Sequence, residues 1–530
     1  MATKPARTDV ESVLLTANRD SLGQERLSSR EEKFERARRT TGLWLAPLVT
    51  ITFLALPLGL AGNQQTLAGV LLGVVVLWIC EPIPLPVAGF IGVACVVVLG
   101  VAPVDDVLAP FGSSTIFTFI GAFIIAQAML KHGLARRFAF RVLSLPGVGT
   151  STTRIVLAFG AITCLLSAFV SNTATVAMLL PTALGILTVI AKLMQDRGVV
   201  AENFDPRMLR VGTALMLMLA YGASVGGLLT PVGSPPNLIG RAQIEKATGT
   251  RISFTDWVLS AVPICLLMFV LLAAVLLLLN RPEIRKIEGV REYVAEQRGD
   301  MGRFSGAERN TLIAFGFTVT LWIAPAIVGL IAGDQSAAFK TVSDRLDEGV
   351  VAVLGAALLF LLPVSWKRRE YTLSWSDAAR IDWGTIMLFG AGIIFGTLLA
   401  ETGLAKTIGE ASASGLGLAS AVPITMFAVV LAILISETTS NTAAASVVVP
   451  IVIPIAVAAG INPLLPALAA TFGASFGFML PVATPQNAIV YGSGTVPITR
   501  MIRSGLAFDV CGAILIVILL PVTATLVGLG

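Results

Sequence analysis

Ser167-Ala168-Phe169-Val170-Ser171-Asn172-Thr173-Ala174, with Pro181 seven residues on, and Ser436-Glu437-Thr438-Thr439-Ser440-Asn441-Thr442-Ala443, with Pro450, are one phrase written twice. Each copy is a Ser, then Ser-Asn-Thr-Ala at the same offset, then a Pro at the same offset. A second phrase follows each copy. It is Pro231-Val232-Gly233-Ser234-Pro235-Pro236-Asn237 in the first half and Pro481-Val482-Ala483-Thr484-Pro485-Gln486-Asn487 in the second. All four interrupt apolar sequence. Matched polar, Pro-interrupted segments in the two halves of a membrane chain point to a binding site near the bilayer midplane.

Composition fixes the medium. Of 530 residues 55% are hydrophobic and 13% charged, and the mean hydropathy is +0.86. A soluble globular chain carries about twice that charged fraction, so the chain is read as a polytopic helical membrane protein. Apolar segments long enough to span fall near 42–61, 66–83, 87–104, 115–134, 208–240, 256–280, 309–331, 349–364, 384–402, 464–499 and 506–528. Blocks 154–194 and 421–460 are too long for one crossing and are broken at the Ser-Asn-Thr phrases. Each reads as a re-entrant hairpin or as two spans. Polar, non-helical backbone at membrane depth is tolerated only where protein or a water-filled cavity covers it.

With the N-terminus on the cytoplasmic face and both blocks treated as hairpins, eleven crossings result. Of the 37 Lys and Arg, 31 then fall inside and six outside: Arg241, Lys246, Arg251, Lys340, Arg345 and Lys406. That bias obeys the positive-inside rule. It does not distinguish a hairpin from two spans, because both preserve sidedness. Five crossings between the tips turn the second half upside down relative to the first, an inverted repeat whose two tips meet. The C-terminus is then outside. The basic excess lies in loops and argues for no nucleic-acid partner. The polar stretch before residue 42 lacks an apolar core and reads as a cytoplasmic tail, partly helical over 28–40.

The doubled motif resembles the divalent anion/sodium symporters, the di- and tricarboxylate carriers. Glu81-Pro82-Ile83-Pro84, Gly133-Leu134-Ala135-Arg136-Arg137 and Glu401-Thr402-Gly403-Leu404-Ala405 are similar to that family's phrases, and the resemblance covers about residues 42–528. It implies Na⁺-coupled transport of C4-dicarboxylates of the succinate, malate and fumarate class by an elevator mechanism. It also implies a homodimer in a bacterial inner membrane. A Na⁺-independent exchanger, or a citrate or sulfate carrier, is the alternative. The implied Na⁺ ligands are Ser167, Ser171, Asn172 and Gly233 for one ion and Ser436, Thr439, Asn441 and Ala483 for another. The implied substrate ligands are Asn172, Thr173, Ser234, Asn441, Thr442, Thr484 and Pro485. On this reading the chain divides into a tail (1–41), scaffold (42–152 and 309–420), mobile unit (153–280 and 421–530) and cytoplasmic linker (281–308). Arms at 136–145 and 404–412 lie along the membrane surfaces. Lipid, Na⁺ and a small dianion are the expected partners, with no cofactor beyond the coupling ion.

The residues themselves support that chemistry. Hydroxyls, amides and the carbonyls freed at a helix break are hard oxygen ligands, and free N–H groups at a helix start suit an anion. No Lys or Arg lies within 155–191, 211–240 or 407–499. A dianion held there without basic side chains is costly unless cations accompany it. Two Na⁺ balance a dianion, so electrogenic uptake needs a third cation, for which the sequence shows no distinct ligand set. Glu81 begins a Pro-rich turn and reads as structural. Glu437 abuts the second tip and is a candidate to tune its field. The lone histidine, His132, reads as a solvated interfacial group. One peripheral histidine and five scattered cysteines offer neither a catalytic pair nor metal-ligand spacing, so an intramembrane enzyme is disfavoured.

Overall fold

The computed structural model describes residues 9–14, 29–287, 289–333, 335–416 and 420–528, so most of the polar tail lies outside the described residues. Among the described residues the regular structure is helical apart from a two-stranded ribbon, Pro363–Ser365 with Glu370–Tyr371, and an isolated bridge between Ser151 and Lys286. Among the described residues, nine helices are long and apolar enough to cross a bilayer, and four shorter apolar helices accompany them. The helix expected in the tail and the first span form one continuous element, Ser29–Ala55.

Packing shows how the first long block closes. Helix Thr152–Ser167 ends at the first phrase and helix Asn172–Asp196 begins within it. At its outer end the first helix meets the linker, where Thr152 N–H donates to the Arg285 carbonyl at 3.2 Å. The second helix meets the same linker, with Gly185 against Tyr293 and Val189 against Gly289. Both outer ends touch one segment, so the block folds back to the face it came from. The second block, Ala421–Thr438 and Asn441–Ala458, closes likewise, with Ile424 packed among Ile455 and Ala456. Its open end lies against the arm helix Leu404–Leu416, where Gly409 abuts the Pro454 carbonyl.

Both stretches read as arms are helical, over Leu134–Leu143 and Leu404–Leu416. Gly133, at φ +67°, turns the chain into the amphipathic helix Leu134–Leu143. Arg137 on that helix joins Glu308 at 2.6 Å and the Met301 carbonyl at 2.8 Å. Lys131 pairs with Asp377 at 2.6 Å, so residues 131–137, 301–308 and 363–380 share one basic face. His132 is half-buried there and bonds the Thr372 carbonyl at 2.8 Å rather than standing in solvent. Glu81 closes helix Gly62–Cys80 in a left-handed conformation and meets Arg38 at 3.4 Å, the structural role expected of it.

Between the hairpins the supporting helices pack through small residues, as membrane helices do where backbones approach. A methyl on Gly121 would fall 2.4 Å from the Ala352 carbonyl carbon, which holds helix Ser114–Lys131 tightly to Glu348–Leu361. Trp44, Trp366, Trp375 and Trp383 are exposed, whereas Trp78, Trp257 and Trp322 are buried.

Candidate substrate and cation site

Both Ser-Asn-Thr tips and both breaks open into one cavity of about 680 Å³. Its wall contains all seven residues the resemblance implies for the substrate: Asn172, Thr173, Ser234, Asn441, Thr442, Thr484 and Pro485. Positions 269 residues apart in the chain thus become neighbours through folding alone. Of the cation candidates, Ser171, Asn172, Gly233, Asn441 and Ala483 line the cavity. Ser167 and Ser436 are buried behind the wall. Thr439 turns away, its hydroxyl donating to the Ile435 carbonyl of its own helix at 2.8 Å.

The two tips are built alike. Ser171 caps helix Asn172–Asp196 by accepting from Ala174 N–H at 3.3 Å, and Ser440 caps Asn441–Ala458 by accepting from Ala443 N–H at 3.2 Å. A capping oxygen satisfies one of the helix's orphan N–H groups, so these serines set the helix starts that aim into the cavity. Ser167 Oγ donates to Asn172 Oδ1 at 2.5 Å. Ser436 Oγ lies 2.8 Å from both Asn441 Oδ1 and the Ala474 carbonyl, and its single hydrogen serves one at a time.

The breaks repeat as closely. Asn237 Nδ2 donates to the carbonyls of Gly227 at 2.7 Å and Thr230 at 2.8 Å. Asn487 Nδ2 donates to those of Gly477 at 2.7 Å and Leu480 at 3.1 Å. Each amide clasps carbonyls 10 and 7 residues back, closing the turn that Pro235 and Pro485 keep from continuing as helix.

At the first break, oxygens crowd Gly233. A methyl there would lie 2.6 Å from the Gly227 carbonyl oxygen, 2.9 Å from that of Ala168 and 3.1 Å from that of Ser167. A methyl on Gly227 would itself lie 2.7 Å from Asn172 Oδ1. Uncharged hard oxygens gathered this way fit a small cation. The second site is the same design with more room: a methyl on Gly477 would lie 3.3 Å from Asn441 Oδ1, 3.4 Å from the Ser436 carbonyl and 3.2 Å from the Ala483 methyl.

Several residues at the site were not legible beforehand. Gln127 and Gln486 line the cavity, and Gln486 Nε2 donates to Ser224 Oγ at 3.0 Å. Arg380 and Asp382 reach the mouth from the loop ahead of helix Trp383–Glu401. The hairpins and breaks contribute no basic side chain, as the sequence shows, but the cavity does have one arginine at its mouth. Arg380 stands on the basic face, so the cavity opens there. Nearby, burial works against the Asp377 carboxylate, yet hydrogen bonds from Lys131 and Ser374 outweigh it and hold Asp377 below the usual range.

The opposite face is shut. Arg241, counted with the outer loops from sequence, is instead buried, at 6% exposure. It forks onto Glu348 at 2.6 and 3.1 Å and meets Glu245 at 3.0 Å. Gln243 donates to the Gly392 carbonyl at 2.7 Å, and Lys246 bonds Thr397. Helix Pro235–Thr248 is thereby fastened to helices Glu348–Leu361 and Trp383–Glu401.

Comparison with known proteins places these features. Residues 39–528 match the family model described as the sodium:sulfate symporter transmembrane region. The sodium-dependent dicarboxylate transporter SdcS of Staphylococcus saprophyticus is 30% identical over 93% of this chain and 92% of its own length. The protein of that name in Staphylococcus aureus is 29% identical, over 92% of each chain. Among solved structures, the YdaH transporter of Alcanivorax borkumensis superposes with a TM-score of 0.50 at 17% identity, covering 78% of this chain and 85% of that one. MtrF of Neisseria gonorrhoeae gives 0.51 at 14% identity, covering 78% and 82%. Both share the fold.

Proposed function

We propose, because this chain belongs to the sodium:sulfate symporter family and is an integral membrane transporter rather than an enzyme, that it takes up C4-dicarboxylates with Na⁺. Succinate, malate and fumarate are the expected substrates. The observation that carries the reading is the meeting of both tips and both breaks in one cavity, with oxygens gathered beside each break. Relatives named as sodium-dependent dicarboxylate transporters, matched along nearly their whole length, support it.

In this reading one Na⁺ binds at Ser167, Ser171, Asn172 and Gly233, with the carbonyls of Ala168 and Gly227 added. The other binds at Ser436, Asn441 and Ala483, while Thr439 contributes backbone rather than hydroxyl. The substrate carboxylates lie between the tips, on Asn172, Thr173, Ser234, Asn441, Thr442, Thr484 and the turn at Pro485. The bound cations offset the charge that hydroxyl and amide donors alone would leave uncompensated. Residues 153–280 and 421–530 move as a unit against a scaffold of 42–152 and 309–420. The arms lie along the two membrane surfaces, and the carrier works as a homodimer. An apolar joint of Trp78 and Phe395 against Val447 and Pro450, with a cavity of about 350 Å³, supports sliding there. The membrane is a bacterial inner membrane, with the N-terminus and the open cavity mouth cytoplasmic and the C-terminus outside.

Purified protein in liposomes tests this directly. Labelled succinate should accumulate down an imposed Na⁺ gradient. Uptake driven by internal succinate and indifferent to Na⁺ would make the protein an exchanger. Preference for citrate or sulfate would move the substrate assignment but leave the coupling.

The unequal room at the two breaks yields a sharper expectation. Gly233→Ala forces a methyl against three carbonyl oxygens, overpacking that costs about 1–3 kcal/mol. The Na⁺ concentration for half-maximal uptake should rise by about tenfold or more. Ala483→Gly, which removes a methyl from the roomier site, should change it by less than about threefold. Equal effects from the two variants would show that the oxygens around Gly233 hold no cation.

A further inference from the structure

Two polar side chains reach the cavity from outside the repeated phrases and have no role in the site as described. Gln127 stands on helix Ser114–Lys131, and Arg380 on the loop ahead of helix Trp383–Glu401. Among the described residues neither side chain has a hydrogen-bond or ion-pair partner. Arg380 is the one basic residue among the described residues that line the cavity. The other charges nearby are engaged. Lys131 meets Asp377 and Arg137 meets Glu308, each at 2.6 Å. Asp382, also on the wall, accepts from the Thr385 amide at 3.0 Å and from its hydroxyl at 2.5 Å.

The fold brings Gln127 and Arg380 together. Gln127 and Lys131 are one turn apart on the same helix face. Lys131 holds Asp377, and the Asp377 carbonyl accepts the Arg380 N–H at 3.1 Å. Asp377 also closes the start of the loop, accepting from Ser374 N–H at 2.9 Å and Ser374 Oγ at 2.6 Å. Ala378 and Ile381 are buried on either side. Arg380 therefore stands on a fixed loop with its guanidinium free. A guanidinium offers a planar fork of donors matched to a carboxylate, and the Gln127 amide adds two N–H donors. Both residues belong to the stretches proposed as scaffold, whereas the seven candidates for the bound substrate all belong to the hairpins and breaks. A dianion that parts from its cations at the tips is left with uncharged donors, which is costly. At the mouth it meets a positive charge that does not travel with it.

We propose that Gln127 and Arg380 form a second carboxylate-binding station, on the scaffold at the basic face, which a dianion occupies on its way between the tips and the water on that side. The station rests on the carrier reading above for its substrate. Its fixed charge draws the dianion into the mouth and receives it from the tips. It therefore governs exchange with the basic face more than capture from the opposite one. The mouth is exposed, so the attraction weakens as salt is added.

Inside-out vesicles present the basic face to labelled succinate and Na⁺. In Arg380→Gln the half-saturating succinate concentration there should rise about tenfold. Arg380→Lys, which keeps the charge but not the fork, should bring it back to within about threefold of the parent. In right-side-out vesicles the Arg380→Gln shift should be at least about threefold smaller, and added salt should weaken the parent more than Arg380→Gln. A second measurement needs no transport. Gln127→Cys, after replacement of the 5 native cysteines, is reacted with an anionic and a cationic methanethiosulfonate reagent. Adding Arg380→Gln should lower the anionic-to-cationic rate ratio by about threefold or more. An equal shift at both faces, an Arg380→Lys variant no better than Arg380→Gln, or a rate ratio that Arg380→Gln leaves unchanged overturns the proposal. A parent that moves no succinate while the ratio falls as stated would overturn the carrier reading and leave an anion station standing.

Discussion

Succinate uptake by Asn172→Ala and by Asn441→Ala should each fall by about 100-fold or more, with the purified variants melting within a few degrees of the parent. Each asparagine has two duties at its tip. Its side chain lines the cavity, and its Oδ1, oriented by Ser167 or Ser436, faces the oxygens gathered at the neighbouring break. Truncation removes a cation ligand and a donor to a carboxylate together. Contacts to charged groups are worth about 1.5–3 kcal/mol each, and two of them exceed a hundredfold. Both side chains are only half-buried, so the fold itself loses little. Partial losses from the single variants that simply add in the double variant would mark the motifs as structural hydrogen-bond glue.

The buried fork between Arg241 and Glu348 should govern which way the cavity opens. It joins the proposed mobile unit to the scaffold on the closed face, and removing one partner of a buried pair costs about 3–5 kcal/mol. Glu245 still meets Arg241 in Glu348→Gln, which recovers part of that cost. A shift of about 30-fold or more toward the opposite opening is therefore expected. The readout is Thr173→Cys labelled by a membrane-impermeant maleimide from each side, after replacement of the 5 native cysteines. In the parent background only the basic face should give rapid labelling. In Glu348→Gln the other face should as well, and Arg241→Gln with Glu348→Gln should recover part of the parental pattern. Unchanged labelling would mean that the fork is packing and not a latch.

What sequence could show here followed from repetition. Two pairs of matching phrases at matched offsets announce their own importance, and the seven substrate candidates within them line a single cavity. The breaks were visible as prolines among apolar residues, although the clasping role of Asn237 and Asn487 was not. It depends on which carbonyls a turn presents, a three-dimensional matter. Arg241 misled because a charged residue near the end of an apolar run looks like a loop residue. Only the position of Glu348, 107 residues on, shows that it is buried and paired. Arg380 was unreadable for the same reason: it comes to the cavity from an element with no repeat to flag it. The contacts of the first block with Tyr293 and Gly289 of the linker were likewise a matter of packing.

The distribution of tryptophan bears on depth. The four exposed indoles, Trp44, Trp366, Trp375 and Trp383, all sit on the proposed scaffold. The stretches 153–280 and 421–530 contain a single tryptophan, Trp257, and it is buried. Indole rings prefer the boundary between hydrocarbon and water and moor a helix at that level. Dragging such an anchor through the bilayer would add friction to every cycle. In the proposed carrier, with its indole moorings confined to the scaffold, that scaffold is the frame held against the lipid and the cargo-bearing unit is the part that no tryptophan fixes at any level.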